Sequence, residues 1–346
     1  MLVRTCSPRK SRRNGIDPTS RAERPTAHRK DADAMRPYAL LVAATLIWGS
    51  TFVLVKDVTA AVPPSWLVGI RFTCATAVLA VCFLKRRALY LDRGTVRAGL
   101  ACGLALFCAY YLQTWGITDT TPGKNAFLTA TYCVIVPFLA WATLRRRPTR
   151  YSLMGAACAL AGVGLISLGG GVGISTGDAL TLAGALFFAL HIVLVARFTR
   201  ACDPYVLTMW QFAGVGVCGL TVALISEPMP TWSALEASDL ATVAYLTVFA
   251  TTVALLLQNV AQSRLAPATA SLILTFESVF GVVFSVIMGA EQLTGRLLAG
   301  FALIFASVLI AEVLPAWLQK RRTLQGAGPS EPATAEVLVP KMAGEA

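Results

Sequence analysis

Charged residues are scarce in this sequence, and their scarcity excludes most kinds of soluble protein. Only 14% of the 346 residues are charged and 56% are apolar, whereas roughly 25% charged residues are usual in soluble domains. Between residues 38 and 318 apolar segments recur so closely that no polar stretch is long enough for a soluble domain. A soluble enzyme on a single membrane anchor is therefore excluded.

Motifs for metal, nucleotide and covalent chemistry are also missing. The nine cysteines have no metal spacing, and eight lie in or beside apolar segments, where cysteine behaves as a small packing residue. The glycine-rich run at 164–171 follows no predicted strand, and no Walker motif is present, so ATP is not expected as the direct fuel. No metal and no cofactor is implied.

The sequence is rich in apolar segments of membrane-spanning length. A helix crosses a bilayer with about 20 mostly apolar residues, and backbone groups in hydrocarbon must bond internally, which favours helices over open strands. We therefore predict an all-α integral membrane protein with ten transmembrane helices. The ten segments are 38–56, 64–84, 96–117, 124–144, 152–170, 177–197, 204–225, 240–262, 266–288 and 294–317.

The same apolar frame occurs twice in the chain. Residues 46–72 align without gaps to 186–212, with eight identical positions at an offset of 140. Further along, Gln113 aligns with Gln258 at an offset of 145. Two copies of an odd number of spans must lie in the bilayer in opposite orientations, as in many secondary transporters. The two inverted five-helix repeats are predicted at 38–170 and 177–317.

Basic residues are distributed unevenly between the two sets of loops. The loops after even-numbered spans, together with both tails, carry 26 of the 30 Lys and Arg residues. Excess Lys and Arg mark cytoplasmic loops, so we predict a multi-pass protein of the cell membrane with both termini in the cytoplasm. The net charge of +12 is thereby explained without a nucleic-acid partner. We call the side of the even-numbered loops the basic side.

Both ends of the sequence are polar. Residues 1–36 and 323–346 are rich in Pro, Ala and charged residues and are predicted to be disordered cytoplasmic tails. No short apolar region with a cleavage site follows the first charges, so a signal peptide is not predicted. Met35 stands directly before the first span, and the hypothesis that translation starts there rather than at Met1 is testable by N-terminal sequencing.

Several stretches resemble EamA-type proteins of the drug/metabolite transporter superfamily. WGSTFVLVK at 48–56, PP at 63–64 and IRF at 70–72 resemble the first two spans of that family. NAFLTATYCVIVPFLAW at 125–141 resembles its fourth span, and 267–295 resembles its ninth. The resemblance implies ten helices in two inverted repeats around a central cavity. It also implies transport of small solutes such as amino acids, metabolites or drugs, often outward.

Ionisable side chains at membrane depth are costly and mark candidate functional sites. Glu277 lies about 11 residues into its span, near mid-bilayer at ~1.5 Å rise per residue. It either binds solute or couples transport to protons, or it is a structural residue held against a helix terminus or Arg71. A polar stripe on the same span points roughly 100° away from Glu277. The stripe comprises Ser271, Thr275, Ser278 and Ser285.

Two further ionisable residues lie within spans. Arg71 could snorkel to the headgroups, tether a helix through an ion pair, or bind a solute carboxylate. His191 at mid-depth is either a hydrogen-bonded interior residue or a proton-coupling residue. The repeat alignment matches Arg71 with Gln211 and Thr51 with His191. We therefore expect the cavity to be chemically asymmetric, with Gln211 among its candidates.

Uncharged residues complete the candidate site. The equivalent residues Gln113 and Gln258 could hydrogen-bond across the repeat interface or line the cavity. Asn125 opens the fourth span and could cap it or face the solute. Pro137, inside that span, is expected to kink the helix and is a candidate gating bend. Trp48 and Tyr132 are either packing or membrane-interface residues or aromatic walls of a solute pocket.

The function predicted from the sequence is secondary active transport of a small metabolite, amino acid or drug. Export is the favoured direction, and alternating access through a central cavity would be coupled to protons or to exchange. A passive channel, which would need polar rings along a pore, or a non-transporting scaffold is the alternative. A membrane-embedded enzyme would need clustered catalytic residues that the spans lack. The expected partners are a small-molecule solute and the bilayer, with homodimerisation left open.

Overall fold

A computed structural model describes residues 27–145, 147–167, 175–287, 294–315, 317–318 and 321, and these ranges contain helices and no strand. The first half has α1 (Ala27–Gly49), α2 (Thr51–Val58), α3 (Pro64–Cys82), α4 (Arg93–Thr118), α5 (Pro122–Ala130), α6 (Tyr132–Leu144) and α7 (Arg150–Ser167). The second half has α8 (Thr176–Phe198), α9 (Pro204–Ser226), α10 (Ala237–Tyr245), α11 (Ala254–Gln262), α12 (Pro267–Leu274), α13 (Phe276–Ile287) and α14 (Gly295–Val308). Short 3₁₀ helices occupy Leu84–Leu89 and Trp232–Ala234, and π-helical segments occupy Leu246–Val253 and Leu309–Val313.

The described helices include seven that are long and apolar enough to cross a membrane. They are Met35–Val58, Pro64–Cys82, Arg93–Thr118, Pro122–Leu144, Thr176–Phe198, Pro204–Ser226 and Ala237–Gln262. The other three predicted spans contain the shorter helix α7, the interrupted pair α12–α13, and α14 with its π-helical extension. Residues 168–170, 288 and 316 of these spans, and the connecting residues 171–174 and 289–293, lie outside the described residues. The chain is therefore an all-helical, multi-pass membrane protein.

The first helix begins earlier than the sequence predicts. The predicted disordered tail runs to residue 36, but α1 already begins at Ala27 and contains Pro37. The segment AHRKDADAM is polar and shows no apolar periodicity, yet Ala, Arg, Lys and Met are good helix formers. Residues 1–26, and the predicted tail at 323–346, lie outside the described residues.

Equivalent prolines begin equivalent helices in the two halves. Pro64 starts α3 and Pro204 starts α9, while Pro122 starts α5 and Pro267 starts α12. The first position of a helix has no partner for its amide hydrogen, so proline is tolerated there and its fixed φ favours the helix. These four prolines therefore place the starts of two pairs of corresponding helices.

Single hydroxyl residues interrupt three of the helical segments. Ser50 separates α1 from α2, Thr131 separates α5 from α6, and Thr275 separates α12 from α13. At each one, the backbone N–H bonds the carbonyl three residues earlier at 3.2–3.3 Å, and the hydroxyl bonds that same carbonyl at 2.6–2.7 Å. Such side-chain bonds compete with the α-helical ladder. The sequence therefore provides its own helix breaks, and each lies directly beside a residue of the cavity described below.

Equivalent residues of the two halves contact each other. Phe72 and Phe212, at an offset of 140 in the alignment, pack edge to face with ring centroids 5.4 Å apart. The Cys158 thiol lies 3.4 Å from the carbonyl of Leu303, its equivalent at an offset of 145. Helices α3 with α9, and α7 with α14, therefore bring equivalent positions of the two halves into contact.

The packing of α7 against α14 is reciprocal. A Cβ at Gly155 would lie 2.9 Å from the carbonyl oxygen of Ser307, and one at Gly162 would lie 2.8 Å from that of Gly300. Gly155 is equivalent to Gly300, and Gly162 is equivalent to Ser307. In an isologous contact, residue i touches j of the partner while j touches i. Small residues allow this close approach of backbones within the membrane.

Candidate functional site

Two adjoining cavities lie among the interrupted helices and share Trp48, Gln113 and Glu277 as lining residues. The larger, which we call the main cavity, holds about 450 Å³ of space free of protein atoms, part of it open to solvent. The smaller holds about 370 Å³. The other lining residues of the main cavity include Thr51, Val55, Arg71, Thr114, Ile117 and Asn125. Those of the smaller include Leu106, Thr129, Tyr132, Leu255, Gln258 and Leu274.

Glu277 is buried at the start of α13, immediately after the helix break at Thr275. Its carboxylate accepts a hydrogen bond from the Tyr132 hydroxyl, with Oη 3.2 Å from Oε1. These two residues are equivalent in the alignment, at an offset of 145. A carboxylate in the first turn of a helix is favoured by the unpaired backbone N–H groups there. Glu277 nevertheless lines both cavities, so it remains open to a solute or to water.

Arg71 lies inside the helix bundle, not at the lipid headgroups. Its side chain is 2% exposed, and Nε donates to the Thr251 hydroxyl at 3.1 Å. The guanidinium carbon lies 5.8 Å from the centre of the Tyr110 ring. Arg71 and Glu277 line the same cavity but form no salt bridge with each other. The snorkelling and ion-pair alternatives are therefore wrong for this structure, and a buried cation faces the main cavity.

Gln113 and Asn125 lie in one hydrogen-bonded group that extends from the first half to α8, with Asn125 Nδ2 also 3.3 Å from the Gln113 carbonyl. Gln113 Nε2 donates to the Thr129 hydroxyl at 2.9 Å, so its amide bonds within its own repeat. Asn125 Nδ2 donates to Thr181 at 2.8 Å, whereas Oδ1 has no partner among the described residues. Asn125 is not the cap of its helix, because the Thr121 side chain occupies that position. Both amides line the main cavity.

His191 and Gln211 pair with each other in the second half. His191 Nε2 lies 3.2 Å from Gln211 Oε1, and both side chains are at most 1% exposed. Neither residue lines the main or the smaller cavity. The equivalent first-half residues, Thr51 and Arg71, do line the main cavity. The expected asymmetry between the halves is present in these side chains.

The remaining candidates divide between the cavities and the helix interiors. Trp48 lines both cavities, and its indole N–H donates to the Ala250 carbonyl at 2.8 Å. Gln258 lines the smaller cavity. Pro137 is buried within α6, which continues through it from Tyr132 to Leu144, and the break in that segment lies earlier, at Thr131. A gating role for Pro137 stays a prediction.

The serine and threonine stripe does not form the cavity wall. Ser271 and Thr275 donate to backbone carbonyls of their own helix at 2.9 and 2.6 Å, and Ser278 lies 3.4 Å from the Ala126 carbonyl. None of the three lines either cavity. The side chain of Ser285 lies outside the described residues. Helix-face geometry correctly separated the stripe from Glu277, and it is Glu277 that faces the cavity.

Polar contacts tie helix ends together on both sides of the bundle. Away from the basic side, Lys56 Nζ donates to the carbonyls of Ile117 and Thr118 at 2.8 Å each, and Lys124 pairs with Asp178 at 2.5 Å. On the basic side, Arg86 pairs with Asp203. Lys56 and Lys124 are two of the few basic residues of the odd-numbered loops. Each contact joins segments that are distant in sequence.

Sequence reasoning missed several residues of the main cavity. Thr51, Thr114 and Ile117 line it, but threonine and isoleucine are ordinary residues of apolar spans. Only their spacing could have singled them out. Thr114 follows Gln113 directly, and Ile117 lies one helical turn after it. The helix face that carries Gln113 could therefore have been predicted from the sequence. The orientation of that face toward α13 could not.

Taken together, the helices and the polar cavity define the class to which this chain belongs: a helical membrane protein with a buried site between two halves. The EamA-like transporter family matches residues 35–168 and 175–312, which are most of the chain. The chain belongs to the EamA-like transporter family. The resemblance inferred from the sequence is confirmed, and so are the membrane and transport assignments.

The relatives also carry transporter names. An uncharacterized transporter of Archaeoglobus fulgidus is 32% identical over 273 residues, which cover 79% of this chain and 84% of the relative. The uncharacterized transporter YoaV of Bacillus subtilis is 24% identical, with 78% of this chain and 94% of the relative covered. A crystal structure that is 20% identical superposes with a TM-score of 0.70, over 82% of this chain and 98% of that one. The last likeness supports the fold alone.

Proposed function

We propose that this protein is a secondary active transporter that moves a small polar solute by alternating access through the main cavity. The observation that carries the proposal is the presence of Arg71 and Glu277 in one buried cavity between the two halves. Charged groups are energetically costly to bury at this depth, and these two do not form a salt bridge with each other. They are therefore available to a solute and to a coupling proton.

Alternating access is supported by the internal repeat. Contacts between the equivalent pairs Phe72–Phe212 and Tyr132–Glu277 are those expected of two inverted five-helix repeats related by an axis in the membrane plane. We propose ten spans in this arrangement, including the segments around α7, α12–α13 and α14. Inverted repeats allow one half to rock against the other around a fixed site.

The cavity residues have separable roles in this proposal. Arg71 would bind an anionic group of the solute through its fork of N–H donors. Glu277 would exchange a proton with the cavity, or bind a cationic group, with Tyr132 orienting its carboxylate. Thr51, Gln113 and Asn125 would hydrogen-bond uncharged groups. Such a site suits small metabolites, amino acids or drug-like compounds that combine charge with polar groups.

The basic loops support an orientation. By the positive-inside rule, we propose that both termini and the basic side lie in the cytoplasm of the cell membrane. The main cavity then opens outward, because Val55, Ile117 and Asn125 lie near the odd-numbered loops. Export is the proposed direction, driven by the proton gradient or by exchange with a second solute.

The test begins with a thermal-shift screen of amino acids, organic acids and cationic drugs against the purified protein. Compounds that stabilise it are then assayed for uptake into proteoliposomes, with and without an imposed pH gradient. We expect uptake that saturates and shows counterflow, because a carrier must return its site to the other side. Flux that is downhill and unsaturable, in liposomes with a stabilising compound, would identify a channel and reject the proposal.

A further inference from the structure

Five buried polar side chains form a second polar region, which we call the amide cluster: His191, Thr208, Gln211, Asn259 and Gln262. His191 bonds Gln211 at 3.2 Å, and Asn259 Nδ2 donates to Thr208 Oγ1 at 2.9 Å. Thr208 and Gln211 share one face of α9, and Asn259 and Gln262 share one face of α11, at a spacing of three residues. Since α9 packs against α11, the two bonded pairs and Gln262 lie on helices that contact each other.

The amide cluster contains an unusual number of unpaired polar atoms. Gln211 Nε2, Asn259 Oδ1 and both amide atoms of Gln262 have no hydrogen-bond partner among the described residues. All three side chains are at most 1% exposed. Buried polar groups nearly always have partners because an unpaired group is costly to bury. Four such atoms in one cluster therefore lack a partner in the part of the chain that the structure describes, and they are available to a group from outside it.

The alignment relates the amide cluster to the main cavity. Gln211 is equivalent to Arg71 and His191 to Thr51 at the offset of 140, while Asn259 and Gln262 are equivalent to Thr114 and Ile117 at the offset of 145. All four first-half equivalents line the main cavity. The amide cluster therefore occupies the place of that cavity in the second half. The amide cluster is closed by packing in this structure, whereas the main cavity is open.

We propose that the amide cluster is the polar lining of a second cavity, which opens to the basic side when the main cavity closes and binds an uncharged hydrogen-bonding group of the solute. This inference rests on the alternating access proposed above. Asn and Gln offer both donors and acceptors but no charge. They suit a hydroxyl, amide or carbonyl group, and they leave the solute's charged groups to Arg71 and Glu277.

The contacts that keep the second cavity closed lie directly beside it. Arg86, after α3, pairs with Asp203 at the start of α9 and lies 4.4 Å from the centre of the Tyr205 ring. The Trp210 indole N–H, also on α9, donates to the Tyr90 carbonyl at 2.7 Å. These contacts fasten the 84–92 loop to α9. Opening of the second cavity requires them to separate.

Thiol accessibility tests the inference without any solute. Gln262→Cys is prepared in the full chain and embedded in sealed vesicles of known orientation. The cationic, membrane-impermeant reagent 2-(trimethylammonium)ethyl methanethiosulfonate is applied to one side at a time. Intact mass then counts labels above those of the parent protein with its native cysteines. We expect labelling from the basic side at roughly 0.1–10% of the rate of free cysteine, the share of time that a minor conformer is populated.

A neighbouring position provides the matched control. Ala261 is equally buried, at 0% exposure, and lies at the same depth but about 100° around α11. Ala261→Cys should stay unlabelled. Equal labelling of both variants, labelling of neither, or labelling of Gln262→Cys only from the opposite side overturns the inference. If Gln262→Cys does not fold, Asn259→Cys is read by the same criteria.

Transport separates this inference from the proposed function. Gln262→Ile gives the second half the residue of its first-half equivalent and removes two unpaired buried atoms. We expect slower transport with an unchanged or higher unfolding temperature. A higher unfolding temperature with unchanged transport, in a protein whose main-cavity variants are inactive, would reject the amide cluster as a site and leave the proposed function standing.

Discussion

The two halves of this chain place different chemistry at equivalent positions. In the first half, Arg71 and Thr114 line an open cavity, while their counterparts Gln211 and Asn259 are buried in the amide cluster. The helices correspond, as the Phe72–Phe212 contact indicates. The difference therefore has two sources, the side chains themselves and which side of the bundle is open. A change of conformation can exchange which side of the bundle is open, but it cannot change which side chains each half carries.

The ionisable groups Arg71 and Glu277 both face the main cavity, and the amide cluster is uncharged apart from what His191 can carry. Charge recognition is thus concentrated on one side of the pathway. Substitutions that make the halves more alike should remove the chemical asymmetry and leave the conformational one. The expected effects are ordered below from the largest to the smallest.

The largest effect is expected at the carboxyl group on the boundary of the two halves. Glu277→Gln keeps the shape of the side chain but cannot exchange a proton. We expect uptake driven by a pH gradient to fall to background in proteoliposomes, with little change in the unfolding temperature. Tyr132→Phe, which removes the hydroxyl donor and keeps the carboxyl group, should slow uptake by about 10- to 100-fold, since a hydrogen bond to a charged group contributes ~1.5–3 kcal/mol. Poor folding with a normal rate per folded molecule would assign Glu277 a structural role.

The next effect concerns the cation of the first half. Arg71→Gln gives that half the residue of its counterpart. For a solute with a carboxylate, binding should weaken about 10- to 100-fold, because hydrogen bonds to charged groups contribute ~1.5–3 kcal/mol. Titration of the purified variant with the solute, read by thermal shift, measures this. Arg71→Lys keeps the charge but not the fork of donors and should fall between the two. Unchanged affinity with lower stability would indicate a helix tether.

The sequence predicted the architecture better than the site. Apolar segments and the repeat gave an all-helical membrane protein, because burial in lipid imposes length and composition on every span. The helix breaks were harder, since Ser50, Thr131 and Thr275 break helices through local hydrogen bonds that the same residue types do not form everywhere. Their positions beside the cavity follow from how distant helices pack.

The site residues illustrate the same limit. Depth alone singled out Glu277 and Arg71, but it could not choose between snorkelling, an ion pair and solute binding for Arg71. The structure buries that guanidinium against Thr251 and Tyr110, on helices that no local pattern connects to α3. Asn125 was expected either to cap its span or to face the solute; Thr121 occupies the capping position, and Asn125 lines the main cavity. Contacts between remote helices decide the case of Arg71, whereas a local hydrogen bond from the Lys124 N–H to the Thr121 hydroxyl decides the cap of α5.

A smaller effect is expected where α3 of the first half packs against α9 of the second half, a contact that we call the seam. A Cβ at Gly69 would lie 2.7 Å from the backbone nitrogen of Leu220, so the helices would have to move apart. Gly69→Ala should lower the free energy of unfolding by ~1–3 kcal/mol, the usual range for overpacking. Gly214→Ala is the control, since its nearest neighbour would be the Leu100 Cδ2 atom at 3.4 Å. Equal stability of the two variants in thermal unfolding would refute the tight seam.

The smallest effect is expected at the aromatic wall shared by both cavities. Trp48→Phe gives the first half the residue of its counterpart, Phe188, and removes the indole bond to the Ala250 carbonyl, 2.8 Å long. We expect a loss of about 1 kcal/mol in stability, the net contribution of one hydrogen bond. Trp115→Phe on α4, where the ring is 37% exposed, should change stability by less than that. Because Trp48 lines both cavities while Trp115 lines neither, only the first variant should also alter the affinity for a solute. Equal effects of the two variants on affinity would place the solute away from this wall and remove the main cavity from the transport pathway.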